Sequence, residues 1–127
     1  MKLLRKRTDP VAQALEAAGI APADAQRLVS VGTAIAVEPG VRLCTEGEFG
    51  REAFVLVSGE AVVRLPGTDR SVRPGEVVGE IAALNPKMRR TATVETTATS
   101  VVLAYDVRSF RALAAEMADH LVPDRAA

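Results

Sequence analysis

The chain has one cysteine, one histidine and no tryptophan, and its charges cancel, with sixteen Lys and Arg against sixteen Asp and Glu in 127 residues. Each scarcity excludes something. A lone cysteine, Cys44, cannot form an internal disulfide, which fits a reducing cytoplasm. Its place in an apolar strand-like run marks it as a small core residue. A lone histidine, His120, leaves metal-dependent chemistry without the several His and carboxylate ligands that it needs. His120 is expected to be solvated. Zero net charge argues against attachment to nucleic acid by bulk electrostatics. No uninterrupted apolar run approaches the ~20 residues of a transmembrane helix. The basic start Met1-Lys2-Leu3-Leu4-Arg5-Lys6-Arg7 is followed by Asp9, Pro10, Gln13 and Glu16, where a signal peptide would carry its apolar stretch. It reads as a solvated tail. No nucleophile stands beside a base and no Gly-rich triphosphate loop is present, so the chain does not read as an enzyme.

What is present is one domain's worth of chain, long enough to bury roughly two thirds of its unfolded surface without a disulfide or metal staple. Residues 1–32 read as a helical segment. Asp9-Pro10 is an N-cap followed by Pro at the first helical position. Val11, Ala14, Leu15 and Ala18 then share a face, and Gly19 can end the helix. A second short helix starts at Pro22 and includes Leu28 and Val29. Residues 33–105 read as β structure, with frequent β-branched residues and recurring turn signals. Glu38-Pro39-Gly40 and Arg73-Pro74-Gly75 suit turns with Pro second and Gly third. Leu65-Pro66-Gly67-Thr68-Asp69 is another turn, and Ser58-Gly59 reads as a tight hairpin between two strands. Many short strands between such turns imply a small sandwich or barrel. Residues 106–122 read as a C-terminal helix. Asp106 is its N-cap, Tyr105 staples onto Phe110, and Phe110, Leu113 and Met117 line one face. Pro123 stops the pattern.

The most informative stretch spans residues 78–94. Val78-Gly79-Glu80-Ile81-Ala82-Ala83-Leu84 reads as a strand end, a Gly turn and one helical turn. After a short loop, Arg89-Arg90-Thr91-Ala92-Thr93-Val94 enters a new strand. A helix N-terminus presents unpaired N–H groups and the positive end of its dipole. Gly79 allows an anion to approach the backbone. An arginine from the next strand would close such a site on a phosphate. Glu80 would repel a phosphate unless it accepts hydrogen bonds from another group, such as a sugar hydroxyl. Together these residues point to a phosphorylated sugar.

The arrangement resembles the phosphate-binding cassette of cyclic nucleotide-binding domains, with Gly79-Glu80-Ile81-Ala82-Ala83-Leu84 and Arg90-Thr91-Ala92-Thr93-Val94 in that family's order. Glu46-Gly47-Glu48 and the strands around Ser58-Gly59 extend the resemblance, which covers roughly residues 33–113. It implies a mainly β fold, an eight-stranded jelly-roll β-barrel with short helices at both ends. It implies cAMP or cGMP as ligand, with no cofactor and no metal. It assigns Gly79 to close approach, Glu80 to the ribose, and the amides of Ile81 and Ala82 to the phosphate, with Arg90 as its counter-charge. Thr91 becomes a hydroxyl that can assist guanine. The loop at residues 85–89 is one residue longer than the family's usual spacing, which leaves Arg89 or Arg90 as the phosphate arginine. Arg90 restores the register, and Arg89 and Lys87 then read as solvated loop charges.

The resemblance also implies a stand-alone cytoplasmic sensor or regulatory domain, acting through a protein effector that the sequence does not identify. A helix-turn-helix, kinase, channel or acyltransferase segment is absent from these residues, and any lid over the base is short or supplied by another chain. The competing expectation is a jelly roll used as a protein-interaction module that binds no nucleotide. A third is a metal-dependent enzyme on a similar barrel, which the single histidine disfavours.

Overall fold

A computed structural model describes residues 9–85 and 87–121. The basic start and Pro123 lie outside the described residues. The first helix, α1 (Pro10–Ala17), begins where the Asp9 carboxylate accepts from the amides of Val11 (2.7 Å) and Ala12 (3.3 Å). Gly19, at φ 105°, turns the chain into α2 (Pro22–Val31). These helices bury Ala12, Leu15, Ala25 and Leu28 together.

The strands that follow are β1 (Thr33–Val37), β2 (Arg42–Cys44), β3 (Glu52–Ser58), β4 (Ala61–Arg64), β5 (Arg70–Val72), β6 (Val77–Val78), β7 (Thr93–Thr96) and β8 (Ser100–Asp106). They form two antiparallel four-stranded sheets, ordered β1-β8-β3-β6 and β2-β7-β4-β5. This is mainly β structure with flanking helices, of jelly-roll type. The expected closed barrel is corrected: the described strands stay in two facing sheets. Between the sheets lie Phe54, Leu56, Val63, Val72, Val94 and Val102. The outer face of the first sheet packs instead on the helices, through Ala53, Val55, Val57, Leu103 and Tyr105. β3 is therefore buried on both faces, which explains its unbroken apolar run from Ala53 to Val57.

The Ser58-Gly59 turn is a second correction. β3 pairs with β6 and β8, and β4 pairs with β5 and β7, so the turn is a crossing between sheets and not a hairpin. The physical cause is the fit of this corner. Gly59 has φ 95°, and a β-carbon there would overlap Ser100 Oγ. The Glu60 amide donates to that same Oγ at 3.2 Å, and the Thr97 amide donates to the Glu60 carbonyl at 2.9 Å. The corner is thus tied to the β7–β8 connection. The loop at residues 65–69 does join a hairpin, β4 with β5. At Arg73-Pro74-Gly75 the Glu76 amide donates to the Arg73 carbonyl, closing the expected turn.

The C-terminal helix is not continuous. α4 (Val107–Glu116) ends at Met117, which leaves helical geometry at φ −127°, ψ 42°, and α5 (Ala118–Leu121) follows. Asp106 caps α4 by accepting from the Ser109 amide at 2.7 Å. The rings of Tyr105 and Phe110 meet with centroids 6.4 Å apart. Phe110, Leu113 and Met117 are buried as the helical spacing implies. His120 does more than face solvent: its Nε2 lies 3.2 Å from the Gly75 carbonyl. Between β6 and β7 sits α3 (Glu80–Leu84), a single short helix packed against both β3 and α4.

Candidate functional site

An open cavity of about 370 Å³ lies between α3 and the sheet β2-β7-β4-β5. All six sequence-predicted residues, Gly79, Glu80, Ile81, Ala82, Arg90 and Thr91, line it. So do Cys44, Val63, Leu65, Arg70, Val77, Val78, Ala92 and Val94. Tertiary structure therefore gathers the predicted residues from two segments into one concave surface.

Arg90 is the centre of the site's electrostatics. It is 8 % exposed. Its Nη2 donates to the Glu52 carbonyl at 3.0 Å and its Nη1 to the Gly79 carbonyl at 3.2 Å. Its own amide donates to the Glu48 carbonyl, at 2.6 Å. These bonds hold the guanidinium fork still, but neutral carbonyls carry no charge to offset a buried cation. The ion pairs found among the described residues, such as Arg27–Glu116 and Arg64–Asp69, do not include Arg90. Arg89 takes a different place. It is exposed, with its guanidinium 4.3 Å from the Phe49 ring centroid, and its Nη1 donates to the Gly47 carbonyl at 2.9 Å. Of the two arginines, Arg90 is the one on the cavity.

Gly79 sits at φ 82°, a left-handed conformation that side chains resist. Space excludes a side chain as well. A β-carbon there would lie 2.5 Å from Arg90 Nη1, 3.0 Å from the Glu52 carbonyl and 3.3 Å from Cys44 Sγ. The Ala83 amide donates back to the Gly79 carbonyl at 3.2 Å. The amides of Ile81 and Ala82 precede that bond and have no acceptor within α3. Glu80, in the first turn, is 4 % exposed. The site thus combines a cation, helix-start amides and a carboxylate along one wall. Burial pushes the Cys44 thiol above its ordinary pKa, the Arg90 charge opposes this, and Glu52 adds to it. Among the described residues no group of three His, Cys, Asp or Glu side chains could hold a metal ion. No helix among them is long and apolar enough to cross a membrane.

Two kinds of residue escaped the sequence reading. The apolar walls, Val63, Leu65, Val77 and Val94, come from strands whose pairing is not written locally. Strand alternation could have placed Val63 and Val94 on an inward face. Gly50 was also missed: a β-carbon on it would overlap the Arg90 guanidinium. No local pattern signals that contact, since the two residues are forty positions apart in sequence.

A sequence profile of the family described as "Cyclic nucleotide-binding domain" matches residues 34–117. Over 96 residues the chain is 32% identical to the Pycsar effector protein XpPycTIR of Xanthomonas perforans, an alignment covering 75% of this chain and 32% of that protein. Over 99 residues it is 34% identical to the cAMP-dependent protein kinase regulatory subunit of Yarrowia lipolytica, covering 75% of this chain and 26% of that protein. The chain spans about a third or less of the length of these curated relatives. Among solved structures, "Sp-2Cl-cAMPS bound to PKAR CBD2" superposes with a TM-score of 0.69 at 24% identity, over 85% of this chain and 73% of that one. That likeness concerns the fold.

Proposed function

The chain belongs to the cyclic nucleotide-binding domain family, and from that premise we propose that it binds a cyclic nucleotide monophosphate, cAMP or cGMP, as a regulatory domain acting through a partner. The observation that carries the reading is the buried Arg90 guanidinium, held rigidly by two carbonyls on the wall of an open cavity. A cation in that setting is stabilised by an anion that brings its own charge, and a cyclic phosphate is such an anion. Gly79 leaves room for its approach, and the Ile81 and Ala82 amides supply further donors. Glu80 accepts from the ribose hydroxyl, which gives the carboxylate a purpose beside a phosphate. Thr91, exposed on the same rim, adds a hydroxyl.

Binding would be read out through α3. The α4 side chain of Arg111 reaches the Leu84 carbonyl at the end of α3, Nη2 to O 3.5 Å. A ligand that favours one placement of α3 shifts the population of α4 positions with it. Hydrogen bonds to charged groups contribute roughly 1.5–3 kcal/mol each, so Arg90 with two amides supports micromolar affinity.

Isothermal calorimetry with cAMP, cGMP and the linear 5′-monophosphates tests this reading. Micromolar binding of a cyclic nucleotide, lost in Arg90→Ala, is the expected result. Folded wild-type protein that binds neither cyclic nucleotide at millimolar concentration overturns it.

A further inference from the structure

The outer strands of the two sheets are β1, β6, β2 and β5, and three of these four edges are blunted. β6 is only two residues long. β5 carries Arg70 and runs into Arg73-Pro74. β2 carries Arg42, and its pairing with β7 shifts register between Arg42 and Cys44. Shortness, charge, proline and bulges keep a strand edge from pairing with another chain. β1 has none of these devices. It is five residues long, Thr33-Ala34-Ile35-Ala36-Val37, and apolar apart from one hydroxyl. Its register with β8 is unbroken, from Thr33 opposite Ala104 to Val37 opposite Ser100. Among the described residues it pairs with no other strand. Thr33 to Ala36 are all exposed, Ile35 at 40 %. In an antiparallel pair alternate residues direct their N–H and C=O groups toward the partner strand, and the others direct theirs away. β1 therefore presents an outward row of backbone donors and acceptors.

The strand that fits this edge is another β1. Its sequence is almost the same read in either direction. About Ile35, Ala34 matches Ala36, and Thr33 matches Val37, two β-branched side chains of similar size. A two-fold axis at Ile35 thus sets every residue opposite its own match, which is what an isologous contact requires. Thr33, Ile35 and Val37 share a face with Val102 and Ala104, the face toward the second sheet. Pairing there removes Ile35 from water against its own copy. Charge points the same way. Like charges directly opposite destabilise a strand pair, and a charge near a two-fold axis meets itself. Arg42 and Arg70 oppose such pairing at β2 and β5, whereas β1 has no charge and the chain's net charge is zero. An edge of five residues buries less than the ~1,200 Å² at the low end of stable interfaces, so the contact is reversible and concentration-dependent.

We propose that β1 is a self-association edge. Two copies of this chain pair antiparallel through it, about a two-fold axis at Ile35, and join their β1-β8-β3-β6 sheets into one continuous sheet. No β1 residue lines the cavity between α3 and the other sheet, so both cavities stay open in the dimer.

Sedimentation velocity from micromolar to millimolar protein tests this, on wild type and on Ile35→Lys. Wild type is expected to pass from monomer to dimer across the series. Ile35→Lys sets two ammonium groups against each other at the axis and is expected to stay monomeric. Disulfide trapping reads the register without relying on the lysine variant. Ile35→Cys is expected to cross-link to itself under mild oxidation, since opposite residues lie within disulfide reach. A mixture of Thr33→Cys with Val37→Cys is expected to cross-link as well. Thr33→Cys alone is not, because its two copies stand about 13 Å apart along the strands. Wild type, whose Cys44 is buried, is the blank. Wild type that remains monomeric at millimolar concentration overturns the proposal. A dimer that Ile35→Lys leaves unchanged also overturns it, because that dimer uses another face. Trapping of Thr33→Cys with itself does the same, because it reports parallel strands.

Discussion

Gly50 lies against the guanidinium of Arg90 so closely that a single added β-carbon would overlap it. Gly79 borders the same group, at 2.5 Å for an added β-carbon to Nη1. Two glycines from different loops therefore shape the slot in which the cation sits. Gly50 has no left-handed backbone angle to explain it, so its requirement is space alone.

Gly50→Ala is accordingly expected to displace Arg90 without misfolding the chain. Cyclic nucleotide affinity falls by about 10- to 150-fold, the equivalent of one charged hydrogen bond. Combined with Arg90→Ala, the loss is no greater than for Arg90→Ala alone, because both act on one group. Calorimetry on the two single variants and the double variant measures this.

Arg90→Lys keeps the charge and loses the fork. An ammonium cannot donate to the Glu52 and Gly79 carbonyls and to a ligand phosphate in the same planar geometry. Affinity is expected to fall between wild type and Arg90→Ala. Equal affinity of Arg90→Lys and wild type would show that charge alone suffices.

Stability is expected to decline on the alkaline side. Burial raises the pKa of both the Cys44 thiol and the Tyr105 phenol. A raised pKa means the folded state holds a proton that the unfolded chain releases. The associated stability is complete below the unfolded values, about 8.5 for Cys and 10 for Tyr, and is lost as pH rises beyond them. Urea denaturation midpoints should therefore fall between pH 8 and pH 11. Tyr105→Phe flattens the upper part of that fall. It also lowers the unfolding free energy at neutral pH by about 1–3 kcal/mol, because the phenol hydroxyl donates to the buried Leu28 carbonyl at 2.7 Å.

The acid side tests the cap of α4. The Ser109 amide bond holds the Asp106 carboxyl below the usual carboxylate range. A lowered pKa contributes stability above the unfolded value that disappears as pH falls through the folded one. Asp106→Ala should lower the thermal midpoint at pH 7 and shrink the difference between pH 7 and pH 3. Asp106→Asn, which keeps a capping oxygen, should recover much of the pH 7 midpoint while keeping the difference small.

Much of the fold's local detail was legible in the chain. The caps at Asp9 and Asp106, the prolines opening α1 and α2, and the glycine turn into α3 were all readable. The Gly79-Glu80 and Arg90-Thr91 segments were readable as parts of one site. Legibility failed where a short motif has two meanings. Ser58-Gly59 satisfies a hairpin turn equally well as a corner, and only the partners of β3 and β4 distinguish them. The continuous reading of residues 106–122 failed at Met117, whose side chain is buried with Leu113 and Phe110 although the backbone there leaves the helix.

The sequence by itself determined the punctuation of this protein: where helices begin, where the chain turns, and which short segments offer an anion donors and a cation. These are decided within a turn or two, by dihedral freedom, capping oxygens and side-chain period. Tertiary structure alone decided which strands share a sheet, that the strand after Ser58-Gly59 crosses to the other sheet, which apolar strand residues line the cavity, and that Gly50 borders the Arg90 guanidinium. Those outcomes depend on pairing and packing between residues far apart in the chain, whose free energy exists only once both partners are in place.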